Sequence, residues 1–178
     1  MIEFLQLLRD ILWLRRGPQD IPYSPILLAS VCAVVLVLHA ALAAIFDTQG
    51  DSLFLSVLAL AVDLGFLYFI LSLRGHASRF VQTATTLVAC TIVFTLLVVP
   101  ITLMVGVPPK TPDQVTALQG LMGMVALAVF VWKLVVDAHV LRHALSIPFF
   151  AGMGVAILWL IAEYAFGAAL QSQTALQP

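Results

Sequence analysis

"SPILLASVCAVVLVLHAALAAIF", residues 24–46, is the stretch that decides the fold class of this chain. It contains no Asp, Glu, Lys or Arg. An α-helix needs about 20 mostly apolar residues to cross a hydrocarbon core about 30 Å thick, and this segment reaches that length. It lacks the alternation of a membrane β-strand and is too long for one. Because a backbone in lipid must satisfy its own hydrogen bonds, we predict a membrane-spanning helix here.

Four further apolar segments follow along the chain. They cover about 52–73, 84–107, 115–138 and 147–170, and Pro100 lies within the second of them. Each of these segments is long enough to cross a bilayer as a helix. The sequence therefore predicts an all-α membrane protein, with five transmembrane helices in residues 24–170 and a short tail, 171–178, on the non-cytoplasmic side.

The composition agrees with lipid as the main solvent of this chain. Hydrophobic residues make up 62% of it and charged residues 10%, whereas soluble domains carry about 25% charged residues. A net charge of -1 without a cluster of Lys and Arg argues against nucleic acid as a partner, because neutralising phosphates needs a cationic surface. Cys32 and Cys90 both lie inside apolar runs, a pattern that indicates neither a disulfide framework nor a zinc motif.

Residues 1–23 precede the first span and are predicted to form a cytoplasmic segment and linker. In "MIEFLQLLRDILWLRRGPQD" the apolar side chains recur at helical spacing and polar ones take the other side, so we predict an amphipathic interfacial helix. This helix is too short to span a membrane, and it ends at the Gly17-Pro18 stop signal. It either lies on the inner leaflet or folds against the bundle, and it is a candidate docking element for a cytoplasmic partner.

The orientation follows from Lys and Arg in the short flanking segments, because cytoplasmic flanks are enriched in these residues. One side of the predicted bundle has only Lys110, whereas the other side has Arg9, Arg15, Arg16, Arg74, Arg79 and Arg142. We therefore expect an integral membrane protein of a bacterial inner membrane, with its N-terminus in the cytoplasm and its C-terminus outside.

Four ionisable residues fall inside the predicted spans: His39, Asp63, Lys133 and Glu163. A charge at the centre of a spanning helix costs about 2.5–3.5 kcal/mol on an insertion scale, so such residues usually face protein or water. Asp63 either stays neutral or pairs with Lys133 to fix the packing of two helices. A hydrogen bond between His39 and Glu163 requires the first and fifth spans to be neighbours. The functional alternative is a proton or ion relay.

"VFVWKLVVDAHVLRHAL", residues 129–145, carries most of the other candidate residues. Lys133 lies far enough inside the fourth span to need a partner or a path for its amine to the interface. The cytoplasmic exit of this helix is predicted to be marked by Asp137, His139, Arg142 and His143, with His76 in a loop on the same side.

A metal site is the alternative interpretation of the histidines. His139 and His143 are four residues apart and share a helix face, so His76, His139 and His143 make a three-histidine candidate. The zinc-protease pattern, however, needs a Glu directly after its first His, and Val140 occupies that position. The chain also lacks a Gly-x-Ser-x-Gly elbow, a phosphate loop and a Cys-x-x-Cys motif. We expect no bound metal, no cofactor and no enzymatic activity.

The five-span layout has a characteristic final part, "VWKLVVDAHVLRHALSIPFFAGMGVAILWLI", residues 131–161. An aromatic residue precedes the cytoplasmic end of the fourth span, and a His-containing basic exit and an Ala-Leu turn follow it. With the cytoplasmic N-terminal segment, this layout resembles the Yip family of Rab-interacting five-span membrane proteins and their bacterial relatives over about residues 25–170. The Asp-Leu-Tyr-Gly-Pro-type motif of eukaryotic members is absent from "RRGPQDIPYSP", residues 15–25. The resemblance implies a non-enzymatic membrane organiser, with no active residues to carry over.

These observations leave two functions open. The first is a small multipass scaffold, assembly or trafficking-like factor that acts through contacts with lipids, with other membrane proteins or with a second copy of itself. The second is a proton-linked transporter, or a subunit of one, that uses Asp63, Lys133, Glu163 and His39.

Overall fold

The computed structural model describes residues 2–45, 52–105 and 116–174, and within these ranges the chain forms α-helices and short 3₁₀ turns without any β-strand. The six α-helices are α1 (Ile2–Leu12), α2 (Pro25–Ile45), α3 (Ser52–Leu73), α4 (Phe80–Val105), α5 (Ala117–Leu145) and α6 (Phe149–Thr174). Two 3₁₀ turns, Pro18–Asp20 and Ala77–Arg79, lie before α2 and α4. The predicted all-α architecture is confirmed over the described ranges.

Five segments of the described chain, which coincide with α2 to α6, are long and apolar enough to cross a membrane, and the third of them also includes the 3₁₀ turn before α4. These segments are 20 to 29 residues long. No more than 22% of the most apolar window of any of them is buried inside the bundle, so most of their surface needs lipid around it. The prediction of an integral membrane protein with five spanning helices is thereby supported.

The helix ends differ from the predicted ones on the side where the charged residues lie. Helix α4 begins at Phe80 rather than near residue 84, and α5 continues to Leu145 rather than ending near residue 138. Charged and histidine side chains do not interrupt a helix, so α5 ends only where Ser146 adopts a left-handed backbone with φ 54°. Pro148 then follows the cap, where it cannot extend the helix. The predicted limits at 46, 107 and 115 lie outside the described residues.

Helix α4 is the centre of the bundle, because it packs against α2, α3 and α5 and also against the N-terminal elements. Its buried stretch runs from Thr83 to Cys90. The hydroxyl groups of Thr83, Thr85 and Thr86 each donate to a carbonyl four residues earlier in the same helix, at 2.7–2.8 Å. These buried hydroxyls are therefore satisfied by their own helix and do not form a polar passage.

The N-terminal segment folds against the bundle at the end where α4 begins and α5 ends. Leu8 and Ile11 of α1 are buried there. The indole N–H of Trp132 donates to the carbonyl of Leu12 at 3.1 Å, and the side-chain amide of Gln82 donates to the carbonyl of Ile21 at 2.6 Å. Contacts between residues so far apart in sequence fix the position of α1 and the following turn on the bundle.

The turn before α4 and the turn after α5 meet at this same end. The guanidinium of Arg79 donates to the carbonyls of His143 and Ala144 and to the hydroxyl of Ser146, at 2.9–3.2 Å. It therefore caps the C-terminus of α5, where the helix dipole favours a cation. We call this end of the bundle, with its arginines, the basic end; they are Arg9, Arg15, Arg16, Arg74, Arg79 and Arg142.

Gly152 sets the distance between α5 and α6. A Cβ atom at this position would lie 2.6 Å from the carbonyl oxygen of Ala138 and 3.0 Å from Cβ of Arg142. The first of these atoms belongs to the backbone, so it cannot move away as the end of a side chain can. Gly154, two residues later, has open space around it. The close approach of the two helices therefore depends on Gly152 and not on Gly154.

We expect Gly152→Ala to lower the stability of the protein by about 1–3 kcal/mol, because the added methyl group overpacks the contact between α5 and α6. Thermal unfolding of the purified protein in detergent measures this as a lower midpoint temperature. Gly154→Ala is the matched control, and we expect an unchanged or slightly higher midpoint, since alanine favours the helix. Equal midpoints for the two variants would contradict the role given to Gly152.

Candidate functional site: a polar cavity between the spanning helices

A cavity of about 130 Å³ lies between the spanning helices. Its walls are mostly apolar, and its polar side chains include those of His39, Asp63, Lys133, Asp137 and Glu163. We call it the polar cavity. The space is large enough for several water molecules, since one water needs about 10–15 Å³ of such volume. The four ionisable residues that the sequence places inside the spans are thus brought together from α2, α3, α5 and α6.

Helical spacing explains why these side chains converge. Lys133 and Asp137 are four residues apart on α5, and Trp159 and Glu163 are four residues apart on α6, so each pair occupies one helix face. Asp63 of α3 lies opposite the α6 pair, and the rings of Phe66 and Trp159 are in edge contact, with centroids 5.4 Å apart. The convergence of α3 and α6 therefore rests on Trp159.

Lys133 is bonded to its neighbour on the same helix. Its Nζ lies 2.6 Å from Oδ2 of Asp137, and the two side chains are 34% and 18% exposed. A Lys133–Asp63 ion pair, one of the two alternatives for Asp63, is not found among the described residues, because Lys133 bonds Asp137 one turn further along α5. Asp63 and Glu163 are nevertheless close enough to Lys133 to interact with it electrostatically. The sequence predicts Asp137 at the cytoplasmic exit of the helix. The structure instead places it in the polar cavity.

Asp63 makes a hydrogen bond with α6 and lies beside a second carboxyl group there. The indole N–H of Trp159 donates to its Oδ1 at 3.0 Å, and the carboxyl group of Glu163 is close enough to interact with that of Asp63. Two carboxyl groups can hydrogen-bond only when one of them carries a proton, because an ionised carboxylate has no donor. In the described structure Glu163 lies beside Asp63. The described residues do not include a hydrogen bond between Glu163 and His39, which the sequence left open.

The charges around the polar cavity do not balance when all its carboxyl groups are ionised. Asp63, Asp137 and Glu163 face a single ammonium group, that of Lys133. Two of the three negative charges are then unpaired. Because an unpaired charge between apolar helices is costly, binding one proton lowers this cost by leaving one unpaired charge in place of two. A proton shared by Asp63 and Glu163 leaves the neutral Lys133–Asp137 pair beside a singly charged carboxyl pair. The arrangement is thus suited to binding and releasing a proton.

The predicted cytoplasmic exit of α5 is partly covered by the N-terminal segment. His139 is buried, with 4% of its surface exposed, and its Nε2–H donates to the carbonyl of Arg16 at 3.0 Å. It is therefore not part of a solvated helix end, because the turn after α1 lies over it. Arg142 and His143 lie next to each other, with the guanidinium of Arg142 3.2 Å from Nε2 of His143 and over the ring of Phe149.

The three histidines considered as metal ligands have other neighbours. Nε2 of His76 lies 3.3 Å from the hydroxyl of Ser146, and His139 bonds the Arg16 carbonyl. The rings of His139 and His143 are in edge contact, with centroids 4.7 Å apart. Over the residues that the structure describes, no three His, Cys, Asp or Glu side chains are grouped so that they could hold a metal ion.

Two members of the polar cavity were not recognised from the sequence. Asp137 was assigned to the helix exit because the fourth span was expected to end near residue 138. Trp159 was not singled out, although an indole N–H in a spanning helix needs an acceptor and Glu163 lies one turn further on the same face. That spacing was the available signal.

The chain matches no protein-family model, no curated protein and no solved structure. The resemblance to the Yip family therefore stays a prediction from the sequence. The function has to be argued from the geometry of the polar cavity and of the basic end.

We expect His139→Ala to loosen the N-terminal segment, because it removes the donor to the Arg16 carbonyl and the ring that the segment covers. The loss of a buried hydrogen bond of this kind costs about 1–3 kcal/mol. Hydrogen exchange followed by mass spectrometry should show faster exchange in residues 13–21.

His76→Ala is the control for this experiment, since it removes the same type of side chain at the same end of the bundle. We expect a stability change within about 0.5 kcal/mol and unchanged exchange in the N-terminal segment. Faster exchange in both variants, or in neither, would show that His139 does not hold this segment.

Proposed function

We propose that this protein moves protons across the membrane as a proton-linked transporter, with the polar cavity as its working site. The observation that carries the proposal is one cavity between the spanning helices, in which the carboxyl groups of Asp63 and Glu163 lie together with the Lys133–Asp137 ion pair. Ionisable groups at membrane depth are costly and commonly mark proton or ion pathways.

The depth of the cavity supports this proposal. At a rise of about 1.5 Å per residue, Asp137 lies about 12 Å and Lys133 about 18 Å from the end of α5 at the basic end. Measured from the basic end in the same way, Asp63 lies about 15 Å along α3. Glu163 lies about 21 Å along α6, and His39 lies about 21 Å along α2. The ionisable side chains therefore form a series through the middle of the bilayer.

Each polar side chain has a definite part in the proposed function. Asp63 and Glu163 hold the proton between them, and Trp159 positions Asp63 through its N–H. Lys133 supplies positive charge that favours proton release. His39, which like Glu163 lies about 21 Å from the basic end, exchanges the proton with the opposite side of the membrane, since imidazole both accepts and donates protons near neutral pH. Water in the cavity bridges groups that do not touch.

We expect Asp63→Asn and Glu163→Gln each to reduce proton movement by about 100-fold or more, because each removes a positioned proton-transfer group and keeps the side-chain shape. The measurement is the initial rate of internal pH change in proteoliposomes after a membrane potential is imposed. Glu3→Gln is the control, since it removes an exposed carboxylate of α1 that does not line the polar cavity.

Two results would contradict the proposal. One is the absence of proton movement with the intact protein at a reconstitution level confirmed in the vesicles. The other is an unchanged rate in Asp63→Asn and Glu163→Gln when these variants are present at normal level. Loss of the variant proteins from the membrane, with no proton movement by the intact protein, would assign the carboxyl pair to folding.

The docked N-terminal segment favours a second candidate function, that of a membrane scaffold or assembly factor of the Yip type. Helix α1 buries Leu8 and Ile11 against the bundle while Leu5 and Trp13 stay exposed, 58% and 65% respectively. This is the distribution expected of an amphipathic interfacial helix, whose exposed side meets headgroups or another membrane protein. In this function the basic end is the cytoplasmic contact face, and Asp63→Asn leaves the contacts with partners unchanged.

Both functions require the orientation that the arginines of the basic end predict. We expect a reporter fused to the C-terminus to be active only on the outer side of a bacterial inner membrane. The same reporter fused after residue 76, in the turn between α3 and α4, should be active only in the cytoplasm. Cytoplasmic activity of the C-terminal fusion would reverse the orientation, and activity of both fusions on one side would contradict the number of spans.

A further inference from the structure

We propose that Lys133 is a movable counter-ion, which binds Asp137 while Asp63 and Glu163 share a proton and turns to that carboxyl pair when the proton leaves. This inference rests on the proposed proton-linked function, and it names the step that links the two charged pairs of the polar cavity. In the described structure Lys133 is bonded to Asp137 at 2.6 Å, while Asp63 and Glu163 line the same cavity, and we assign this arrangement to the protonated carboxyl pair.

The position of Lys133 allows this exchange. Its ammonium faces the polar cavity, is bonded to Asp137 at 2.6 Å and interacts electrostatically with Asp63 and Glu163. Lysine carries its charge at the end of a flexible four-carbon stem, so a change of rotamer moves the ammonium by several ångströms without moving α5. The cavity supplies the space for that movement.

The charged and titratable groups around Lys133 come from each helix that packs there. Helix α2 contributes His39, α3 contributes Asp63, α4 contributes the thiol of Cys90 near the Lys133–Asp137 pair, and α6 contributes Glu163. On α5 itself the partner is Asp137. Lys133 is the only Lys or Arg among the described residues that line the cavity. No other fixed positive charge there can compensate a second carboxylate.

The charge states explain why proton loss moves the lysine. With the proton present, the carboxyl pair has one negative charge and Asp137 has the ammonium to itself. Without it, two carboxylates lie in contact in a low-dielectric site, and their repulsion is relieved by an ammonium between them. Asp137 is then left without its partner and becomes the acceptor for the next proton from the basic end. The movement of the ammonium breaks no covalent bond. Release of the proton breaks one carboxyl O–H bond and forms an N–H bond on the neutral imidazole of His39, while the carboxylate of Asp137 becomes free to accept the next proton.

Infrared spectroscopy of the purified protein tests this directly, because a protonated carboxyl group and a carboxylate absorb at different frequencies. We expect a protonated-carboxyl band that Asp63→Asn and Glu163→Gln each abolish or shift and that Glu3→Gln leaves unchanged. In Asp137→Asn the ammonium is released to the carboxyl pair, so the band should be lost at a pH lower than in the native protein by about 1 unit or more.

The double variant Lys133→Met with Asp137→Asn gives the opposite result if the proposal is correct. It removes both charges together, which avoids leaving one of them buried and unpaired, so it tests the proposal even if Asp137→Asn alone does not fold. Without the ammonium the band should persist to a pH about 1 unit higher than in the native protein. Loss of the band at the native pH in both Asp137→Asn and the double variant would overturn the proposal, as would the absence of the band in the native protein.

These measurements do not depend on transport. Opposite shifts of the band in the two variants, together with no proton movement in vesicles, would refute the proposed function and leave the movable counter-ion in place. Proton movement that depends on Asp63 and Glu163, with no shift of the band in either variant, would support the function and reject the role given to Lys133.

Discussion

The arrangement on which the rest of the polar cavity depends is the placing of the Asp63 and Glu163 carboxyl groups in one space with the Lys133–Asp137 ion pair. Two ionised carboxylates cannot stay in contact among apolar helices, because little solvent screens their repulsion there. Trp159 holds Asp63 towards α6 by donating its N–H, and Glu163 follows one turn later on the same face. Lys133 is already bonded to Asp137, so in the proposed function a proton, and not the lysine, joins the carboxyl pair.

Helix α5 connects this cavity to the basic end. Lys133 and Asp137 face the cavity, whereas Trp132 and His139 bond carbonyl groups of the N-terminal segment. Neighbouring residues on a helix are about 100° apart, so a rotation of α5 that changed one set of contacts would change the other. At Gly152 the backbones of α5 and α6 are in close contact. The contacts with the N-terminal segment, with the cavity and with α6 are therefore all made by the same helix.

Segment length and apolar composition were enough to predict the spanning helices, because lipid permits few alternatives for a long apolar chain. The same reasoning misplaced Asp137, since hydropathy marks where lipid ends and not where hydrogen bonding ends, and α5 continues to Leu145. The burial of His139 depends on a segment 123 residues earlier that folds back over it, and no local pattern records such a contact. The ionisable residues inside the spans could be identified from the sequence, but their partners could not, because the partners depend on which helices are neighbours.

The ligand set of the polar cavity favours a proton over a metal ion as its cargo. Mg²⁺ and Ca²⁺ need about six or more oxygen ligands, whereas a shared proton needs only two facing acceptors, which Asp63 and Glu163 provide. The nearby ammonium of Lys133 repels a divalent cation, and the same charge assists the departure of a proton. The lysine that makes the site poor for a metal therefore makes it suitable for repeated binding and release of a proton. The proposed function and a buried ion pair that only holds two helices together differ in this property.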